Sequence, residues 1–214
     1  MSEVAARTPA RSGARRYTPG RVMSFSDAVF AIAITLLVLP LTDLDLDPER
    51  LAEQLRSATP QIVVFAVGFT VIGLYWLSHH AWFSRVRTVD DRLLKINLVV
   101  LACVAFLPFP TSVLGTHSGT AGTVFYAASV AFTGTAFALM WTYLGRNPEL
   151  FEADSAAALR RHTLVGLVTP VVFAASIPIA LVSADGGKLC WLLIWPASTI
   201  ASRLVSRTSR SSSR

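Results

Sequence analysis

The stretch Phe25–Leu41, FSDAVFAIAITLLVLPL, decides the fold. With its flanks it reaches the roughly 20 apolar residues that a bilayer-spanning helix needs. Yet a carboxylate, Asp27, stands near its start, where lipid would begin. An ionisable group at that depth is costly, so it faces a bundle interior, a partner or a pathway rather than lipid. At about 100° per residue, Ile32, Thr35, Leu36 and Leu39 share one face by the i, i+3, i+4, i+7 rule. That face is apolar except for one hydroxyl. Asp27 precedes Ile32 by five residues and so points about 140° away from the stripe. Two faces of this helix are therefore expected to meet protein, which a lone lipid-embedded anchor would not need.

The rest of the chain has the same character. Of its 214 residues 53% are hydrophobic and 15% charged, and the mean hydropathy is +0.54. That composition belongs to an all-α integral membrane protein, with the lipid bilayer as its first partner. The net charge of +6 sits in the tails and between apolar segments. With no basic stripe and no nucleic-acid motif, a nucleic-acid partner is excluded. Cys103 and Cys190 lie in apolar runs outside any CxxC pair, so they are core residues rather than a disulfide or metal site. No cofactor and no metal are expected.

Residues 1–20, rich in Arg, Ala, Ser and Thr, are expected to form a flexible basic tail. After the first span, Asp43, Asp45 and Asp47 alternate as at the start of a calcium loop, but Pro48 stands where that loop needs glycine and Gln54 where it needs glutamate. Asp47, Pro48 and Glu49 instead suit the N-cap, N1 and N2 of a short interfacial helix with Leu51 and Leu55 on one face. Further spans are expected at about Gln61–Phe83, Leu93–Leu114, Ala121–Leu144, Leu164–Val182 and Lys188–Leu204, making six over residues 21–204, with a polar tail over 205–214. The second closes on Tyr75, Trp76, His79, His80 and Trp82, the third opens with Asn97, and the fourth is rich in small residues that permit close helix approach. Pro170 and Pro178 should kink the fifth. Apart from Arg50, Arg56 and Lys188, all nineteen Lys and Arg lie in the two tails or in the second–third and fourth–fifth connections. Six spans with both termini cytoplasmic satisfy the positive-inside rule.

Arg21, Phe25, Ser26 and Asp27 form R-x-x-x-F-S-D directly ahead of the first apolar helix. Together with His79 and His80 and the run NLVVLACVAFLPFP from Asn97 to Pro110, this closely resembles the transmembrane protein 175 family of endosomal and lysosomal potassium channels and their shorter bacterial relatives. The resemblance implies a single six-helix repeat that assembles as a homotetramer in the cell membrane, with potassium ions as its permeant partner and the first helix lining the pore. The family's hydrophobic constriction falls on Ile32, and its next pore layers fall on Thr35, Leu36 and Leu39. The resemblance also implies a buried polar network that braces the pore helix: Arg21 and Asp27, with His79 or His80 and Asn97 as partners and Trp76 or Trp82 beside them.

The function expected is a potassium-permeable, weakly selective cation channel. Asp27 and the His79/His80 pair motivate one alternative, a proton-linked cation transporter. An enzyme is not expected, because the chain has no G-x-S-x-G elbow, zincin motif or evident carboxylate pair.

Overall fold

The computed structural model describes residues 16–44, 47–152, 156–194, 197, 199 and 200, and these are almost entirely helical. Helix α1 spans Pro19–Leu36, α2 Leu39–Thr42, α3 Leu51–Ser57, α4 Thr59–Phe83 and α5 Asp91–Phe106. Then follow α6 Pro108–Thr116, α7 Thr120–Arg146, α8 Ala156–Gly166, α9 Val168–Val182 and α10 Ala184–Cys190. Five stretches among the described residues are long and apolar enough to cross a membrane: Pro19–Thr42, Thr59–Phe83, Asp91–Thr116, Thr120–Arg146 and His162–Val182. The protein is a multi-pass membrane protein.

Prolines set where these spans break. Pro40 has no N–H to give the Leu36 carbonyl, so Leu37 and Val38 tighten onto Ile34 and Thr35 through i→i−3 bonds of 3.3 Å, and α2 begins as a separate piece. Pro108 and Pro110 divide α5 from α6 at Leu107 in the same way. Pro170 removes the donor for the Gly166 carbonyl, and α8 gives way to α9 at Leu167, whereas Pro178 is carried inside α9.

Helix α7 is the hub, packed against α5, α6, α8, α9 and α10. Its buried positions include Gly122, Thr123, Ala127, Thr133, Gly134 and Ala136. Small side chains of this kind let helices approach closely where lipid supplies no hydrophobic drive. Helix α1 lies to one side against α4 and α5. It buries Val22, Ser26, Phe30 and Ala33 and leaves the opposite face bare.

Two sequence expectations change. Residues 16–20, assigned to the tail, are built into the fold: β1, Arg16–Tyr17, pairs antiparallel with β2, Val89–Asp90, and α1 begins at Pro19. The Tyr17 hydroxyl also donates to Asp91 at 3.0 Å. Helix α3 starts at Leu51 rather than beside Asp47, whose carboxylate accepts from the Glu49 N–H at 2.9 Å in an Asx turn that delays the helix. The connection after α7 holds one 3₁₀ turn, Pro148–Leu150, and α8 is already helical at Ala156. No sixth span is long enough among the described residues. The segment expected to supply it holds the end of α10, a 3₁₀ turn, Trp191–Leu193, and helical Ile194, Ala197, Thr199 and Ile200, while Trp195, Pro196, Ser198 and residues 201–214 lie outside the described residues. Residues 1–15 lie outside them as well.

Candidate functional site

The two faces of α1 have opposite chemistry. The packed face carries Ser26, which is fully buried with His79 and Asn97. His79 Nε2 lies 2.9 Å from Asn97 Oδ1 and, facing a carbonyl oxygen, donates to it. The Asn97 amide N–H donates to Ser26 Oγ at 3.1 Å, and the Ser26 hydroxyl donates to the Val22 carbonyl at 2.9 Å. This relay ties α4, α5 and α1 together at a single depth. Aromatic rings enclose its histidine. Phe83 stacks on it at 4.8 Å, Phe30 of α1 lies at 5.5 Å, and Phe137 and Trp141 of α7 each lie at 6.3 Å.

A second polar contact stands beside the relay at the edge of the same helices. Asp27 Oδ1 accepts from the Trp76 indole N–H at 2.9 Å, and His80 Nδ1 lies 3.8 Å from the same oxygen. Asp27 and His80 both remain partly open, with side chains 35% and 45% exposed. Adjacent residues on a helix diverge by about 100°, and here that divergence sends His79 to Asn97 and His80 to Asp27. Trp82 takes neither place. It packs against His162 at 4.9 Å and Phe151 at 6.2 Å, with the Arg85 guanidinium over its ring.

Arg21 is exposed and has no ion pair with Asp27 or any other carboxylate among the described residues. It lines a cleft with Phe25, and that cleft reaches Asn97 at the start of α5.

The opposite face of α1 is apolar and uncovered. Ile32 is 59% exposed, Leu36 41% and Leu39 51%, and Thr35 is exposed with them. Going back up the helix, Ala28, Phe25 and Arg21 continue the same exposed row in steps of three and four. Leu39 belongs to α2, beyond the Pro40 break, so the stripe is carried by two helical pieces rather than one. The Thr35 hydroxyl donates to the Ile32 carbonyl at 2.8 Å, which leaves the oxygen's lone pairs turned outward as acceptors.

Sequence reasoning missed three polar contacts that hold this architecture. The Tyr75 hydroxyl donates to the Val130 carbonyl at 3.1 Å, Ser78 Oγ lies 2.7 Å from His162 Nε2, and the Tyr143 hydroxyl donates to Asp90 at 2.6 Å. Asp90 also caps α5 through the Leu93 N–H at 2.7 Å. An Asp just ahead of an apolar run was the available signal for that cap. The described residues hold no group of three metal-ligating side chains.

Residues 21–108 match the family model of the endosomal/lysosomal potassium channel TMEM175. A potassium channel of Streptomyces collinus is 39% identical over 153 residues, which are 68% of this chain and 74% of that one. The endosomal/lysosomal proton channel TMEM175 of Homo sapiens is 29% identical over 155 residues, 69% of this chain but 31% of that one. In structure, the chain is similar to a lysosomal potassium-selective channel TMEM175 homolog from Chamaesiphon minutus, with a TM-score of 0.71, 25% identity, and coverage of 86% of this chain and 97% of that one.

Proposed function

This chain belongs to the TMEM175 family, and on that premise we propose that it is a potassium-permeable, weakly selective cation channel formed by four copies around one axis. Six spans, both termini in the cytoplasm and residence in the cell membrane complete the proposal, supported by the distribution of Lys and Arg. Its relatives are ion channels rather than enzymes. The observation that carries the reading is the division of α1. One face is anchored through buried hydrogen bonds, and the other offers Ile32, Thr35, Leu36 and Leu39, which no described residue of the protomer covers.

Lipid could cover an apolar stripe, but lipid would not account for the anchoring opposite it. The Ser26–Asn97–His79 relay and the Asp27–Trp76 bond fix the rotation of α1 about its own axis. Rotational precision matters where four identical faces converge. Four Ile32 side chains on the axis make an apolar ring that a hydrated ion cannot pass without shedding water, and such rings also gate by dewetting. The next layer is Thr35, whose hydroxyl proton is committed to the Ile32 carbonyl, so four oxygens present acceptors to a partly dehydrated cation. In this reading Asp27 and its partners brace the pore and do not coordinate ions.

The test is potassium and sodium flux through purified protein in liposomes, parent beside Ile32→Ala. The parent should favour potassium, and the variant should conduct more with a lower potassium-to-sodium ratio. An unchanged ratio in an intact oligomer overturns Ile32 as the constriction.

The partly open Asp27–His80 pair supports a second reading, proton-linked cation transport. Asp27→Asn keeps an oxygen for the Trp76 indole, so the fold should survive. The channel reading expects flux with unaltered pH dependence, whereas loss of a pH-driven component in an intact oligomer favours transport.

A further inference from the structure

We propose that the groove between α5 and α7 binds an anionic phospholipid, with its phosphate between Arg92 and Arg146 and an acyl chain along Ile96, Val99, Phe132 and Leu139. The two helices run antiparallel and their charged ends are pinned together by the Tyr143–Asp90 hydrogen bond of 2.6 Å. On α7, Phe132, Ala136, Leu139, Tyr143 and Arg146 follow one another in steps of three and four. On α5, Arg92, Ile96 and Val99 do the same. The α7 row, with Ile96 and Val99 of α5, lines a cleft of about 480 Å³, within the range of roughly 300–1,000 Å³ typical of ligand clefts, and Arg92 stands beyond its charged end, over Tyr143. Its walls are bare, with Phe132 67%, Leu139 63% and Val99 54% exposed.

Charge complementarity selects the occupant. Arg146 stands exposed at the last turn of α7, the Arg92 guanidinium lies 6.0 Å over the Tyr143 ring, and Lys95 is exposed one position before Ile96. The nearby carboxylates form no ion pair with them among the described residues. Asp90 is taken by the Leu93 N–H and the Tyr143 hydroxyl, Asp91 receives Tyr17, and neither arginine forms an ion pair among the described residues, Glu149 included. Two unpaired guanidinium forks at the aqueous end of an apolar groove match a phosphate joined to an acyl chain. Basic pockets between spanning helices, on the side bearing the basic loops, recognise anionic headgroups. The site uses neither α1 nor its exposed stripe, so it stands or falls separately from the pore.

Native mass spectrometry of the intact oligomer, purified with equal amounts of phosphatidylglycerol and phosphatidylcholine, tests this. Phosphatidylglycerol should be retained in preference, and Arg92→Ala with Arg146→Ala should reduce that preference about 30-fold, from about 1 kcal/mol per basic residue. Arg85→Ala with Arg87→Ala, at the same end of the bundle but off the groove, should leave it intact. Ala136→Trp, which fills the groove, should expel the lipid while the oligomer persists. Equal retention of the two lipids overturns the proposal, as does an unchanged preference in the Arg92/Arg146 variant. Loss of the oligomer in Ala136→Trp with lipid retained makes the groove a contact between copies instead. Inorganic phosphate alone should not raise the thermal midpoint; stabilisation equal to that by phosphatidylglycerol makes the site one for free anions and overturns the lipid.

Discussion

Asn97 is the residue on which the packing of α1 turns, because its one amide serves two helices. It accepts from His79 and donates to Ser26 with no exposed surface of its own. Replacing it by leucine keeps the volume roughly constant but leaves the His79 N–H and the Ser26 oxygen without a partner. Hydrogen bonds between helices in a bilayer are worth about 0.6–2 kcal/mol, and a stranded buried group costs about 1–3 kcal/mol. Asn97→Leu is therefore expected to destabilise by about 2 kcal/mol and Ser26→Ala by less than that, since serine gives up only one interhelical bond and strands one group rather than two. Thermal unfolding of the two variants in detergent checks the order; equal midpoints would remove Asn97 from its bridging role. That an Asn at this depth bridges helices was legible in the sequence. Its choice of histidine was not. His79 and His80 point in directions about 100° apart, and only the rotation of α4 against α1 and α5 assigns each its partner. Arg21 shows the same limit: a signature shared with Asp27 did not reveal that the two side chains remain apart within one protomer.

At the scale of the element, glycine and proline explain where the spans touch and where they break. Gly68 on α4 lies where α6 crosses. A Cβ built there would stand 2.7 Å from Thr111 Cγ2 and 3.2 Å from Leu37 Cδ2, closer than atoms pack. Thr111 is itself buried, with its hydroxyl bonded to the Leu107 carbonyl at 2.8 Å, so it cannot simply rotate away. Gly68→Val should push α4 from α6 and cost about 1–3 kcal/mol through overpacking. Gly73, whose Cβ would meet nothing within 4 Å, is the matched control and should tolerate alanine. Amide hydrogen exchange over α4 and α6 would register the difference, and equal protection in the two variants would refute the close crossing. In the fifth span, Pro170 makes a break legible in the sequence, because it lacks the N–H that a continuous helix uses, whereas Pro178, expected to kink the span as well, is carried inside α9. The break after Leu36 was less evident, because the apolar stripe runs on through Pro40 without a change of pattern. Periodicity reports which residues share a face, and the backbone bond that Pro40 omits is invisible to it.

For the whole molecule, the exposed α1 stripe predicts assembly. A protomer whose Ile32, Leu36 and Leu39 are exposed while buried polar contacts fix their direction presents, in the reading proposed above, one part of a shared interface. Light scattering of the detergent-solubilised protein is expected to give four copies of the 23.1 kDa chain. A monodisperse monomer or dimer that still conducts would overturn the shared pore. The sequence by itself determined that this is a helical membrane protein, where five stretches long and apolar enough to cross the bilayer lie, and which residues of the first span share a face. Those properties follow from length, hydropathy and the 3.6-residue period, all local along the chain. Only the tertiary structure decided that His79 meets Asn97 while His80 faces Asp27, that Trp76 rather than Trp82 reaches the carboxylate, and that Arg16 and Tyr17 pair with Val89 and Asp90. Each of those contacts joins residues from different elements, and its existence depends on how helices are rotated and set against one another, a quantity that no local pattern contains.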